Sequence, residues 1–146
     1  MPKFQHFELR EFVRSSVAAE KGIDNTPTFE VVDRLELLIA NLLEPLREAW
    51  GSGLRVSSGY RCEALNIAVG GSTTSAHKRG DAADIVPTNG KVAEFIRWAP
   101  RWLAQNGFRW DQLIDESDAA GNRWLHVGAY SSTGAQRGQV IKMTKR

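Results

Sequence analysis

The sequence predicts an α+β protein in which a small, mainly antiparallel sheet is flanked by helices. Three observations carry this. Apolar residues recur at steps of three and four in the first third of the chain and again after residue 90. Short alternating runs separated by turn residues dominate the second half. Helical patterns come first, and no internal repeat is present. Phe7 to Arg14 reads as a short helix. Thr26-Pro27 reads as a helix start, with Thr26 as cap and Pro27 where a missing N–H costs nothing. Val32, Leu35, Ile39, Leu42, Leu46 and Ala49 then mark one apolar face running to about Trp50, with Pro45 expected to kink it. Leu54 to Ser58 reads as a strand, Glu63 to Ala68 as a helical turn, and Ala82 to Val86 as a small apolar strand stopped by Pro87. Val92, Phe95, Ile96, Ala99 and Leu103 define a second long helix, which Pro100 should bend or split. Gln112 to Glu116 and Arg123 to Val127 form an antiparallel pair across a turn-rich hexapeptide, and Val140 to Thr144 is a last strand.

Composition narrows the functional classes. With 146 residues the chain reads as a single domain, 1–146, long enough to bury a core without covalent staples. One cysteine, Cys62, excludes an internal disulfide and a four-cysteine zinc site. A net charge of +2 is too weak to argue for nucleic-acid binding, so no nucleic-acid partner is expected. No apolar run is long enough to span a bilayer, and the charged N-terminal residues lack the apolar core of a secretory leader. Synthesis in a cytoplasm without a signal peptide, no membrane insertion and a monomeric state are the corresponding expectations.

Ser75-Ala76-His77-Lys78-Arg79-Gly80-Asp81-Ala82-Ala83-Asp84 is the most informative stretch. A loop histidine lies seven residues before a carboxylate that opens a strand, and Gly80 permits the reversal that would bring them together. Zinc takes imidazole nitrogen and carboxylate oxygen together, and a catalytic site uses three protein ligands and keeps a fourth position open. His126, in the strand pattern Arg123-Trp124-Leu125-His126-Val127-Gly128, supplies a third donor. His6 and Cys62 are rival donors. A lone strand histidine is ordinarily a core residue bonded to a backbone carbonyl, and a lone loop histidine is ordinarily exposed, so the residues alone leave those readings open.

The pattern Ser75-x-His77-x-x-Gly80-x-Ala82-x-Asp84, followed by Trp124-x-His126, resembles the zinc D-Ala-D-Ala carboxypeptidase and L-alanyl-D-glutamate peptidase family. These peptidoglycan-cleaving enzymes share a fold with the hedgehog signalling domain. The likeness runs over about residues 4 to 130, through Asp24-Asn25-x-Pro27, Ser57-Ser58-Gly59-Tyr60-Arg61, Leu65-Asn66, Gly70-Gly71-Ser72 and Trp110-Asp111-Gln112-Leu113-Ile114-x-Glu116. It implies a Zn²⁺ ion held by His77, Asp84 and His126, and a peptidoglycan stem peptide as substrate. Arg61 would bind substrate carboxylate or stabilise the oxyanion. Ser75, Gln112 and Trp124 would contact the substrate. A leaderless form without a wall-binding module resembles a phage endolysin acting on the cell wall after release. A D-Ala-D-Ala carboxypeptidase is the alternative enzyme, and a non-catalytic zinc-binding module of the same fold the alternative of another class.

One departure bears on catalysis. Many family members carry the catalytic carboxylate three residues before the last histidine, where this chain has Arg123. Asp115, Glu116 and Asp118 are the nearby candidates; Glu116 is the preferred general base, and strand register decides between it and Asp115. If residue 116 lies opposite 124, Glu116 shares a face with Trp124 and His126; if it lies opposite 123, Asp115 takes that place and Glu116 meets Arg123 in an ion pair.

Overall fold

The structure, a computed structural model, describes residues 3–145; Met1, Pro2 and Arg146, which figure in the reading of the two ends, lie outside them. The first apolar run forms a 3-10 turn, Leu9–Phe12, in place of the expected helix, with Phe7 and Phe12 buried edge to face. A helix not foreseen from the sequence follows, α1 (Ser16–Lys21). Ser15 caps it by accepting the Ala18 N–H, and Gly22 closes it in the left-handed region.

Helix α2 (Phe29–Leu38) starts two residues later than Thr26-Pro27 suggests, because Thr28 is its cap and accepts the Val31 N–H. Thr26 instead donates both its N–H and its hydroxyl to Asp24 Oδ1, an Asx-type turn that competes with helix initiation. Before Pro45 the backbone widens into a π-helical segment, Ile39–Leu43, and then continues as α3 (Glu44–Trp50). The wide turn accommodates a proline ring that would crowd the carbonyl four residues back, so the expected kink takes this form. Leu35, Leu38, Ile39, Leu42, Leu43 and Leu46 are all buried along this continuous stripe. After α4 (Glu63–Ala68), the last helix, α5 (Val92–Gln105), runs through Pro100 without a break. Its buried side, Phe95, Ile96, Ala99 and Leu103, packs toward the sheet and compensates for the one hydrogen bond that Pro100 cannot donate. Trp50, Trp98, Trp102 and Phe108 form an aromatic ladder beside it, with centroid spacings of 5.2–5.7 Å.

Five strands make one sheet: β1 (Leu54–Ser58), β2 (Ala82–Pro87), β3 (Gln112–Ser117), β4 (Arg123–Gly128) and β5 (Gln139–Thr144), in the order β1-β2-β4-β3-β5. All neighbours are antiparallel except β3 and β5, which run parallel. Val56, Ile85, Leu113, Leu125 and Val127 point to the helices and close the core. Because strand side chains alternate, the opposite face collects Asp84, Trp124, His126, Ile114 and Glu116. The fold is thus α+β with helices on one sheet face and the polar residues of interest on the other. No helix among the described residues is long and apolar enough to cross a membrane.

Candidate metal centre

The central strands set the site. In the register of the sheet, His126 of β4 lies opposite Asp84 of β2 on one side and Ile114 of β3 on the other, while Glu116 lies opposite Trp124. His77 arrives from a 3-10 turn, Ala76–Arg79, that Ser75 caps by accepting the His77 N–H. Gly80 ends the turn at φ +79°, a conformation that side-chain-bearing residues rarely adopt. A Cβ there would also lie 2.8 Å from the Val31 carbonyl oxygen. This reversal delivers His77 beside Asp84.

Among the described residues, one group of donors could hold a metal ion: His77, Asp84 and His126, all buried, with their donor atoms within 4.8 Å of one another. His77 Nε2 is 3.3 Å from Asp84 Oδ1, and His126 Nδ1 is 3.1 Å from the same oxygen. Two ligands held about 2.0–2.1 Å from a tetrahedral ion lie about 3.3 Å apart, so the spacings suit such an ion. Tautomer and burial agree with that use. His77 Nδ1 donates to the Gly59 carbonyl at 2.8 Å, which leaves Nε2 with a bare lone pair. That Nε2 is buried and makes no hydrogen bond, the kind of orphaned atom a metal would satisfy. Burial pushes the His77 imidazole below its ordinary value, which favours the neutral form that ligates a metal. Burial opposes the Asp84 carboxylate too, but the facing His77 and His126 outweigh it and hold Asp84 below the usual carboxylate range. The donor set therefore fits zinc. His6, the rival histidine, is taken up by Glu44 at 2.7 Å, and Cys62 stands outside the donor group.

Glu116 is 4% exposed, and its Oε1 sits 3.5 Å from His126 Nδ1. Trp124 Nε1 donates to the same oxygen at 3.3 Å, and Lys145 Nζ stands 3.4 Å from Oε2. Asp115 points to the other face, where Arg123 grips it with two hydrogen bonds of 2.9 Å. The ion pair imagined for Glu116 and Arg123 thus belongs to Asp115 and Arg123.

Arg61 follows β1 and is 6% exposed. Its Nε donates to Ser58 Oγ at 3.2 Å and its Nη1 to Asn66 Oδ1 at 3.0 Å, which leaves Nη2 for the cleft. Asn66 is itself fixed by donating to the Ser72 carbonyl at 2.8 Å. Ser75, Gln112, His77, His126, Glu116 and Arg61 all line one cleft of about 800 Å³. Gln112 Nε2 also donates to Gln139 Oε1 of β5, and Trp124 walls an adjoining cavity with Asp84. Two contributors went unassigned at the sequence level: Asn66, noted within a motif but given no role, and Lys145, given no role in the site.

A family model described as Peptidase M15 matches residues 5–115. The match takes in Arg61, His77 and Asp84 and stops short of Glu116, Trp124 and His126. No curated protein matches the chain.

Proposed function

The chain belongs to the peptidase M15 family, and from that premise we propose that it is a zinc peptidase cutting a peptide bond of the peptidoglycan stem, an endolysin of the L-alanyl-D-glutamate endopeptidase type. The observation that carries the reading is the convergence of three buried donors, with His77 Nε2 unsatisfied, where His77 and His126 line a cleft together with Glu116 and Arg61 and Asp84 lines the cavity adjoining it. Zinc held by His77, Asp84 and His126 would supply a Lewis acid that polarises a carbonyl and makes water more acidic. Glu116, kept beside His126 by Trp124 and Lys145, accepts a proton from the attacking water and passes it to the departing amine nitrogen. Arg61 turns its free Nη2 to the oxygen on which negative charge develops. Ser75 and Gln112 offer polar contacts to the peptide along the cleft wall.

Mass spectrometry of the fragments released from purified peptidoglycan tests this directly. New amino termini at the D-glutamate residue, formed with zinc and absent with chelator, are expected. Release of terminal D-Ala alone would assign the carboxypeptidase activity instead, and no release with zinc bound would leave a binding module.

A further inference from the structure

The cleft does not end at the metal centre. Arg61, Val69 and Lys145 line it and also line a second cavity of about 640 Å³, so the two share a common rim. Arg14 and Arg55 bound this second arm as well, and no Asp or Glu is among its lining residues. The contrast with the first arm is informative. There, Arg79 and Arg137 are neutralised by Asp81 and Asp111 at 2.9 and 2.7 Å. Arg14 and Arg55 are exposed and form no ion pair or side-chain hydrogen bond with another described residue. Arg55 projects from β1 on the site face of the sheet, opposite Val86 and two residues beyond Asp84 along β2.

Lys145 is already paired with Glu116, but Arg14 and Arg55 stand on this concave wall without an ion-pair partner among the described residues, and such cations gain when an anion enters. Guanidinium forks match a carboxylate in shape as well as in charge. We propose that this second arm is a binding site for a carboxylate that the substrate peptide carries outside the bond to be cut. The proposal rests on the peptidase reading, since a chain with its scissile bond at His77 and His126 must cross the rim at Arg61 and Lys145 to enter the arm. It adds to that reading a preference for acidic peptides, with Arg14 and Arg55 as the residues that set it.

Two synthetic stem peptides of one sequence provide the test, one with its non-scissile carboxyls free and one with them amidated. For the wild-type chain, kcat/KM for the free peptide should exceed that for the amidated one about tenfold, mainly through KM. In the Arg14→Gln/Arg55→Gln double variant that ratio should fall toward one. Both arginines are exposed and take part in no side-chain hydrogen bond among the described residues, so the double variant should keep the wild-type melting temperature. Titration calorimetry of both peptides against both proteins reads the preference without turnover. Tighter binding of the free peptide that the double variant abolishes supports the arm even if nothing is cut, and then the peptidase reading falls alone. Cleavage of both peptides with equal kcat/KM, or a ratio that the double variant leaves intact, overturns the arm and leaves the peptidase reading standing.

Discussion

Gly71→Ala should displace Arg61 while leaving its own side chain chemically unchanged. A Cβ at Gly71 would stand 2.0 Å from Asn66 Oδ1 and 2.6 Å from Arg61 Nη1, closer than nonbonded atoms tolerate. Neither neighbour can step aside freely. Asn66 is 1% exposed and tied to the Ser72 carbonyl, and Arg61 is tied to Ser58. The methyl therefore breaks the Arg61–Asn66 hydrogen bond or shifts the whole loop. Overpacking of this kind costs about 1–3 kcal/mol, and a lost hydrogen bond from a charged donor about 1.5–3 kcal/mol. An overall loss of about 2.5–6 kcal/mol follows, lowering Tm by about 5–25 °C in a chain of this size. A displaced guanidinium should also reduce kcat/KM on a stem peptide by about 10- to 100-fold. The neighbouring Gly70→Ala is the control. Gly70 has φ +71° and open space around its Cβ direction, so alanine there meets backbone strain of about 1–2 kcal/mol but leaves the Arg61 clamp alone. Differential scanning fluorimetry and steady-state kinetics on both variants decide the matter. A Gly71→Ala protein with wild-type Tm and kcat/KM would refute the clamp.

Further outcomes follow from the site. Glu116→Gln should retain zinc and fold while lowering turnover by about 10²-fold or more, whereas Asp115→Asn should leave turnover nearly intact; the reverse order in steady-state assays would move the base to Asp115. His77→Ala and His126→Ala should each abolish the binding of one equivalent of zinc, measured by atomic absorption after dialysis, and should remove the rise in Tm that zinc gives the wild type. Asp111 is held below the usual carboxylate range by its hydrogen bonds from Arg137, which outweigh its burial. A depressed folded-state pKa contributes stability that is complete above the unfolded value of about 3.9 and is lost as pH falls through the folded one. The Tm difference between wild type and Asp111→Asn should therefore be present at pH 7 and shrink as pH falls below about 3.9; a difference that stays constant through that fall would show that the pair acts otherwise.

Local signals made much of this legible. Leu35, Ile39, Leu42 and Leu46 announce a buried helical stripe, and the alternation from Arg123 to Val127 announces a half-buried strand. The hairpin between β3 and β4 could be anticipated because Asp118 organises its own turn, accepting the Ala120 and Asn122 N–H groups. What escaped depended on competition or distance. Thr26 and Thr28 are both plausible caps, and only the Asp24 contact diverts the first. Strand β5 pairs in parallel with β3, from Gln112 opposite Gln139 to Ser117 opposite Thr144, and a parallel pair leaves no turn in the sequence to mark it. Lys145 could not be placed beside Glu116 without that pairing.

The same pleat explains why Arg123 does not argue against catalysis. Residues three apart in a regular strand face opposite ways, so a side chain at 123 leaves the sheet on the side away from His126. A carboxylate placed there in this chain would stand with Asp115, Leu113 and Leu125 rather than in the cleft. The carboxylate that does reach His126 comes from the neighbouring strand, diagonal to it, because Glu116 lies opposite Trp124. Arg123 and Asp115 then form the complementary pair on the reverse face, and that pair stabilises the register that aims Glu116 inward. The residue that looks like a lost base in the linear sequence thus pairs with Asp115 on the face opposite Glu116, the proposed base.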